Sequence, residues 1–599
     1  MPGGMGGGMG GPGGATQPAG EEKKEGVATA APKNGSLMPT TPSLPIQKSS
    51  RKKWKLLELD GYYRVRTDWF KNFNLGFIDD PTLGGSPFPR PLGCTPAATG
   101  SVGNLTTRPC GNSLGSTDMR LRLEPTINLD EGTSVHIQAD ALDNILFGED
   151  PLDQGLNGIY NSTNRPPVGA FGNAQSPPVQ GINSDRDSII VKRAWAEVAL
   201  PIGVLRAGRQ PNHWGMGLMF NSGGYNPMDG TYNYDGDFGD SVDRISFTAK
   251  IPGTPLRGML AVDWDMTRLA SNQTSVNNTT YAGQPFDLDD SDDTTGYVGV
   301  LSKLSEPQVW QDTLDRGDVA FDYGVYFEYK TQDWDDDLTN FQLGSAFDAS
   351  NHYVPREMKT YTPDLWAKLG FGAIQVEAEL VGIMGDVTHL DEFGFTGTTD
   401  IAKFGGVGRF TWKGVDNKLS IGIESGFATG DQYDNTVQGN TNIAFANQLG
   451  QPGDTTLTQF IFNRDFHVDL IMWRYLFGAI TNTVYAKPFL GYDLTKDINF
   501  KIWDVTSFAL NPVATPGNSA VYGTEADADI SYHHNGLIAG ISAGILFPFG
   551  AMSHPADSVD NGGPGFGYGS VTTSNGTVET NTGDPGTAYT IQTRLILAF

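Results

Sequence analysis

The chain has 599 residues, 77 of them glycine, and a formal net charge of −27. Its hydrophobic share of 38% is low for a soluble domain of this size, for which about 45–50% is usual. No run approaches the ~18 apolar residues that a membrane-spanning helix needs, which excludes an α-helical membrane protein. An acidic pI near 4.6 argues against nucleic acid as a partner.

Residues 1–50 are rich in glycine and proline and have neither alternation nor helical periodicity. Such a composition predicts a disordered tail. The tract has no apolar segment of the kind found in secretory signals, so we expect an exported protein whose signal is absent from this sequence. Met1, Met5 and Met9 suit a soft metal, but an unstructured tract is the preferred interpretation. We place the folded domain, a barrel with long extracellular loops, at residues 51–599.

From Leu56 onward, segments with a period of two recur to the end of the chain. Arg64 and Arg66 alternate with aromatic and aliphatic residues, and so do Glu377 and Glu379. Mid-strand charges on one parity would be very unfavourable in a dry sandwich core, but they suit a face that meets water. The apolar parity then predicts a face that meets lipid.

The last strand, within residues 587–599, shows this pattern most clearly. One parity carries Tyr589, Ile591, Leu595, Leu597 and Phe599, and the other carries Thr590, Gln592 and Arg594. A terminal Phe on the apolar face also resembles the signal that outer-membrane assembly machinery reads.

The connections alternate in length. Eight short links, one of them the medium link 305–316, alternate with nine long polar segments rich in Gly, Asn and Asp. Short turns on one side and long loops on the other are typical of outer-membrane barrels. The pattern predicts an all-β, transmembrane, antiparallel up-and-down barrel of eighteen strands, with sixteen as the alternative. A barrel of that width is expected to enclose water rather than a packed interior.

Charged residues on the water-facing parity are candidates for the pore lining. The basic candidates are Arg64, Arg66, Arg120, Arg122, Arg193 and Arg594. The acidic candidates are Asp263, Asp265, Asp322, Glu328, Glu377, Glu379 and Glu424. A basic wall facing an acidic wall would create a transverse field that orients polar solutes. The alternative is local pairing that stabilises the wall, for example Arg122 with Glu124 or Arg193 with Glu197.

The segment 208–220 is the best candidate for a loop that folds inward and constricts the lumen. Its residues His213, Trp214, Met216, Met219 and Phe220 are unusually apolar for an exposed loop. Docking on the outer face or on a partner is the alternative.

Other features have simpler explanations. Cys94 and Cys110 fall in the first long loop, and their spacing suits a disulfide in an oxidising compartment. The acidic clusters 287–293 and 333–337 could hold Ca²⁺ or Mg²⁺ bridging to lipopolysaccharide, but solvated charge is the preferred account. We predict no metal site and no cofactor. The histidines form no nucleophile–base arrangement, so we expect no enzyme.

Several stretches resemble known barrel families. The stretches 191–198, 206–210, 523–529 and the C-terminal strand resemble outer-membrane porins of the alginate-export and porin-like kind. The stretches 61–68, 466–475 and 481–488 resemble a poorly characterised family of myxobacterial outer-membrane barrels. These resemblances imply a barrel in a diderm envelope, and they carry no ligand and no binding residues.

The sequence therefore predicts an outer-membrane channel for passive diffusion of small polar or charged solutes, surrounded by lipid and lipopolysaccharide. The alternative function is a structural barrel that scaffolds envelope protein partners, as in gliding or secretion machinery.

Overall fold

The computed structural model describes most of the chain after the N-terminal tail. The described residues are 55–75, 113–147, 187–266, 290–336, 353–390, 397–431, 455–515, 517, 519–553, 571–572, 578–579 and 584–599.

Eighteen strands form the wall. They are β1 Leu57–Lys71, β2 Ser113–Asn128, β3 Thr133–Leu146, β4 Ile189–Leu200, β5 Gly203–Pro211, β6 Ser241–Lys250, β7 Arg257–Met266, β8 Thr294–Lys303, β9 Val319–Asp336, β10 Tyr353–Phe371, β11 Ile374–Thr388, β12 Thr398–Gly414, β13 Leu419–Ala428, β14 Thr483–Asp493, β15 Ile498–Ala509, β16 Val521–His534, β17 Leu537–Pro548 and β18 Ala588–Ala598.

Each strand pairs antiparallel with the next, and β18 pairs with β1, which closes the barrel. At the seam, the Gly61 N–H donates to the Phe599 carbonyl over 3.1 Å, and the Phe599 N–H donates back over 3.0 Å. Eight short and nine long connections follow from the strand bounds. The predicted eighteen-stranded, antiparallel transmembrane barrel is confirmed.

The two faces of the wall differ as the alternation predicts. On β9, Phe321, Val325 and Phe327 are each 42% exposed, whereas the interleaved Asp322 and Glu328 are 2% exposed. The outward face is a continuous apolar surface suited to lipid, and the inward face is polar.

Short elements accompany the wall. The helix α1, Pro307–Asp315, lies in the link between β8 and β9, where its residues Trp310 and Leu314 approach Gly370. A five-residue π-helix covers Met472–Leu476, and a two-residue strand, Thr456–Leu457, pairs in parallel with β12. Within the described residues, no helix is long and apolar enough to cross a membrane.

The expectation of a lumen without a packed interior is wrong for the middle of the barrel. Two connections fold inward: segment A, residues 212–240, and segment B, residues 455–482. An apolar cluster joins Leu218 of segment A, Phe460, Val468 and Ile471 of segment B, and the wall residues Val407, Tyr485, Val505 and Tyr522. The side chains of the wall alone cannot fill a barrel this wide, but these two connections bring apolar side chains of their own into the lumen.

Candidate functional site

Segment A lies against the inward face of the wall. Trp214 and Phe220 pack on Tyr326 of β9, with ring centroids 5.8 and 4.9 Å apart. Met216 and Met219 pack against the apolar cluster. The structure thus places these residues of the predicted constriction loop inside the barrel, and their role in limiting passage stays a prediction.

His213 lies at the start of the same segment, where its Nδ1 accepts the Ser222 N–H over 3.2 Å. Burial lowers the pKa of His213 to about 4, so this imidazole is neutral at pH 7. His213 therefore stabilises segment A as a neutral hydrogen-bond acceptor and not as a cation.

Arginines of β1 and β2 hold the far end of segment A. Arg64 donates to the Tyr234 carbonyl over 3.2 Å and to the Asp237 carboxylate over 2.8 Å. Arg120 donates to the Gly236 carbonyl over 2.7 Å and to the Asp237 carbonyl over 3.0 Å. Both guanidiniums are fully buried. They therefore donate to segment A and to wall residues such as Asn144 and Asp143, and not to open water.

Arg66 and Arg193 act in the same way. Arg66 pairs with Asp235 at 3.2 Å and with Asp237 at 2.9 Å. Arg193 of β4 donates to the carbonyls of Ser222 and Asp240, each over 2.8 Å. Four of the six arginines of the predicted basic wall, Arg64, Arg66, Arg120 and Arg193, thus bind carbonyls or carboxylates of segment A.

The opposite wall binds N–H groups of the same segment. The Glu379 carboxylate of β11 accepts the Met216 N–H and is itself buried. Segment A therefore spans the lumen with carbonyls toward the arginines and an N–H toward the acidic wall.

The charge on segment A follows from these contacts. Burial disfavours the ionised form of Asp237, but Arg66, Arg64 and Arg474 hold the pKa of Asp237 well below its usual range. Both Asp237 and its neighbour Asp235 are therefore ionised at pH 7, since Arg474 and Arg66 likewise outweigh the burial of Asp235 and lower its pKa.

The remaining basic candidates pair within the wall. Arg122 makes a bidentate pair with Asp140 of β3, at 2.7 and 2.8 Å. Arg594 pairs with Asp529 of β16 at 2.7 Å. The partner of Glu197 is Arg206, at 2.7 Å, because these residues face each other across β4 and β5.

The acidic candidates also have neighbours of opposite charge or hydrogen-bond donors. Three of them pair with basic residues of the wall: Asp263 makes a bidentate pair with Arg244, Asp265 pairs with Lys330, and Glu424 pairs with Arg409. Glu328 also lies near Lys330. Asp322 accepts a hydrogen bond from Ser305, and Glu377 accepts one from Trp366. Arg244, Arg409 and Lys330 were not among the sequence-predicted residues, although each lies on the inward parity. Local pairing therefore neutralises much of both walls.

Segment B was not predicted to enter the lumen. The Glu525 carboxylate of β16 accepts the N–H groups of Leu470 and Met472, each over 2.9 Å. The indole of Trp473 donates to Ser507 over 3.0 Å and packs edge-on against Tyr522. The aromatic residues of this segment could have indicated a position inside the barrel, but they lack the period of two that identified the strands.

The two segments also bind each other. Arg474 of segment B pairs with Asp235 of segment A at 2.7 Å. Asn463 donates to the Asp240 carboxylate over 2.5 Å, and the Asn463 N–H donates to the Leu218 carbonyl over 2.7 Å. The two segments therefore form one interlocked insert.

Space remains beside this insert. A cavity of about 330 Å³ lies toward the short-turn end, lined by Asp235 and Arg474 of the segments and by Lys501, Trp503 and Arg594 of the wall. The Lys501 ammonium lies 5.3 Å from the centre of the Trp503 ring. A second cavity, of about 170 Å³, adjoins Trp214, Arg244 and Tyr326. Cations and aromatic rings therefore line the free volume.

One acidic group resembles a cation site. Side-chain oxygens of Asp263, Asp265 and Glu328 lie within 4.8 Å of one another. Because Arg244 and Lys330 already pair with these carboxylates, we interpret the group as an ion-pair cluster.

Some predictions fall on other parts of the chain. Cys94, Cys110 and the tail 1–50 lie outside the described residues, so the disulfide and the disordered tail stay predictions. Of the acidic cluster 287–293, the described part includes a 3₁₀ turn at Asp290–Asp292.

Comparison with solved structures finds similar barrels. The outer membrane protein OpdK from Pseudomonas aeruginosa matches 90% of this chain and 99% of its own, at 10% identity and a TM-score of 0.40. OccAB2 from Acinetobacter baumannii matches 90% of this chain and 98% of its own, at 10% identity and a TM-score of 0.42. OccK11 (OpdR) from Pseudomonas aeruginosa matches 90% and 96%, at 10% identity and a TM-score of 0.40.

No protein-family model matches the chain. No curated protein matches it either. The antiparallel strand pairings of this chain therefore define its fold.

Proposed function

We propose that the protein is a porin-like channel of a diderm outer membrane, which passes small polar or charged solutes by diffusion. The observation that carries the proposal is a closed, lipid-facing barrel whose interior retains a cavity of about 330 Å³ lined by charged and aromatic side chains. An apolar exterior with a polar interior is the arrangement of outer-membrane channels. Lipopolysaccharide and lipid would surround the barrel.

Segments A and B set the size of the path in this proposal. They fill the middle of the lumen, so solutes would pass beside the insert or after part of it moves. We therefore expect a much smaller conductance than that of an empty barrel of eighteen strands, which would be wide enough for a water-filled channel.

A second candidate function is a structural barrel that binds envelope partners. The apolar cluster that joins both segments to the wall favours it, because a permanently packed interior needs no solute. We also propose membership of the myxobacterial barrel family, which the resemblance of residues 61–68, 466–475 and 481–488 supports.

Conductance across a planar lipid bilayer tests the channel. The full chain should give small, discrete current steps. A variant in which residues 462–478 are replaced by a flexible Gly-Ser linker should give larger steps, provided circular dichroism shows an intact barrel. Current from the linker variant alone, with none from the full chain, would favour the structural barrel. No current from either protein would reject the channel.

A further inference from the structure

One carboxylate joins the two segments in an unusual way. The Asp465 side chain of segment B accepts the N–H groups of three successive residues of segment A. The Asp237 N–H donates over 2.8 Å, the Phe238 N–H over 3.2 Å and the Gly239 N–H over 2.6 Å. Successive backbone N–H groups that point to one place form a concave anion-binding site.

The local sequence keeps this site open. Gly223 and Gly239 have φ angles of +61° and +75°, which disfavour other residues. A Cβ atom at Gly223 would lie 2.7 Å from Asp465 Oδ2, in the space that the carboxylate occupies. The side chain of Asn463 accepts the Asp465 N–H over 3.0 Å and so orients the residue.

The charge around the turn is mixed, because arginines of the wall lie beside it together with the carboxylates of Asp235 and Asp237. Arg64 and Arg120 bind the carbonyls of the same turn, at Tyr234, Gly236 and Asp237. Because the carbonyls face the guanidiniums, the N–H groups of the turn are directed away from the wall and toward segment B. Asp465 is 3% exposed, so the backbone N–H groups and not water are the main hydrogen-bond donors to its carboxyl oxygens.

We propose that the turn 237–239 is an oxyanion-binding site within the lumen, and that Asp465 occupies it as an internal substitute for a ligand. The ligand would be a carboxylate or a phosphate, since two oxygens share the three N–H donors. This proposal deepens the proposed channel function: an anion that takes the turn displaces Asp465 and removes one of the tethers between segments A and B. Solute binding would thus loosen the insert that narrows the path.

Binding measurements on the purified full chain test the site directly. The Asp465→Ala variant vacates the turn, so inorganic phosphate and acetate should each bind at least tenfold more tightly than to the unchanged protein, by isothermal titration calorimetry. Asp315→Ala, on the exposed face of α1, is the matched control and should bind like the unchanged protein. A gain with phosphate alone would identify phosphate-type ligands, and a gain with acetate alone would identify carboxylates.

A double variant tests whether the gained affinity belongs to this turn. Adding Gly223→Ala to Asp465→Ala places a methyl group 2.7 Å from the position of Asp465 Oδ2 and from the Gly239 Cα, so the turn is both filled and strained and the gained affinity should be lost again. Equal affinities of Asp465→Ala and the unchanged protein for both anions would overturn the proposal. So would a gain that survives in the double variant, because the anion would then bind elsewhere.

Conductance distinguishes this site from the channel itself. If phosphate binds to Asp465→Ala but no protein conducts, the site stands and the channel function fails. If the proteins conduct but neither anion binds to Asp465→Ala, the channel stands and the site fails.

Discussion

Segments A and B occupy the same lumen, but the wall holds them by different means. Segment A binds the wall chiefly through buried guanidiniums, such as Arg66 and Arg120. Segment B contributes nine buried residues to the apolar cluster, and its Ile471 and Met472 are fully buried. A buried ion pair fixes the orientation of its groups, but it becomes unfavourable when one partner is removed. Apolar packing depends instead on how well the side chains fill the available volume. One barrel can therefore contain a segment that is sensitive to charge and another that is sensitive to shape.

The largest effect is expected from Arg66→Met. The change removes a positive charge that pairs with Asp235 and Asp237 of segment A. The same charge also pairs with Asp68 and Asp118 of the wall. Removing one partner of a buried ion pair costs about 3–5 kcal/mol. Segment A should lose hydrogen-exchange protection while segment B keeps most of its own. Arg209→Met is the control, because the Arg209–Asp243 pair is exposed and such pairs contribute only about 0–1 kcal/mol.

Trp473→Ala should affect the other segment. The indole is 2% exposed and packs against Phe477 and Tyr522, so its removal leaves a cavity that costs about 3 kcal/mol. Protease cleavage within segment B should become faster. Trp412→Ala, on the lipid face, should leave cleavage unchanged. Equal loosening of both segments would show that the insert unfolds as one unit.

The pH dependence of segment B provides a third test. Burial and the nearby Arg474 lower the pKa of His467 to about 4. The unfolded segment takes up this proton near its ordinary pKa of about 6.5, so the contribution of His467 to stability falls as pH drops from about 6.5 to 4. His467→Gln should remove this loss, which is at most about 3 kcal/mol.

Asp469 of the same segment acts in the opposite direction. Burial raises the pKa of Asp469 to about 6, so its proton uptake stabilises the folded segment on acidification. The measurement is therefore the difference between His467→Gln and the unchanged protein in the free energy of local opening, from hydrogen exchange at pH 7 and pH 4.5. Identical differences at both values would contradict the assignment.

The smallest effect is expected from Glu379→Gln. The amide oxygen can still accept the Met216 N–H, so the hydrogen bond survives and the loss should not exceed about 1 kcal/mol. Protection of the Met216 amide should fall slightly, while the amides near Arg120 at the other end of segment A should not change. A loss that spreads to that end would show that the two anchors are coupled.

Most of the wall could be predicted from the sequence, because strand alternation is a local property. Glu525, Asp527 and Asp529 follow from a period of two within β16 alone. The partners of the charges could not be predicted, because they depend on register between strands. Arg122 faces Asp140 of β3, whereas the sequence suggested Glu124 two residues along the same strand.

The insert was only partly predictable. Trp214 and Met216 stood out because apolar residues are unusual in an exposed loop, and the structure places both inside. No comparable local pattern marks segment B. Its Leu470 N–H donates to Glu525, which is 55 residues away along the chain. Contacts between residues so far apart in sequence depend on how the closed wall places them. They cannot be predicted before the arrangement of the wall is known.

The seam between β1 and β18 has a consequence for biogenesis. The Trp69 carbonyl accepts the hydroxyl of Thr590, which is 521 residues away. The strand β1 therefore cannot complete its pairing until β18 is in place. Until then two unsatisfied strand edges are open to mispairing with other chains. Completion of the cylinder is thus a late event, and slow docking of its two ends would be the step most exposed to aggregation.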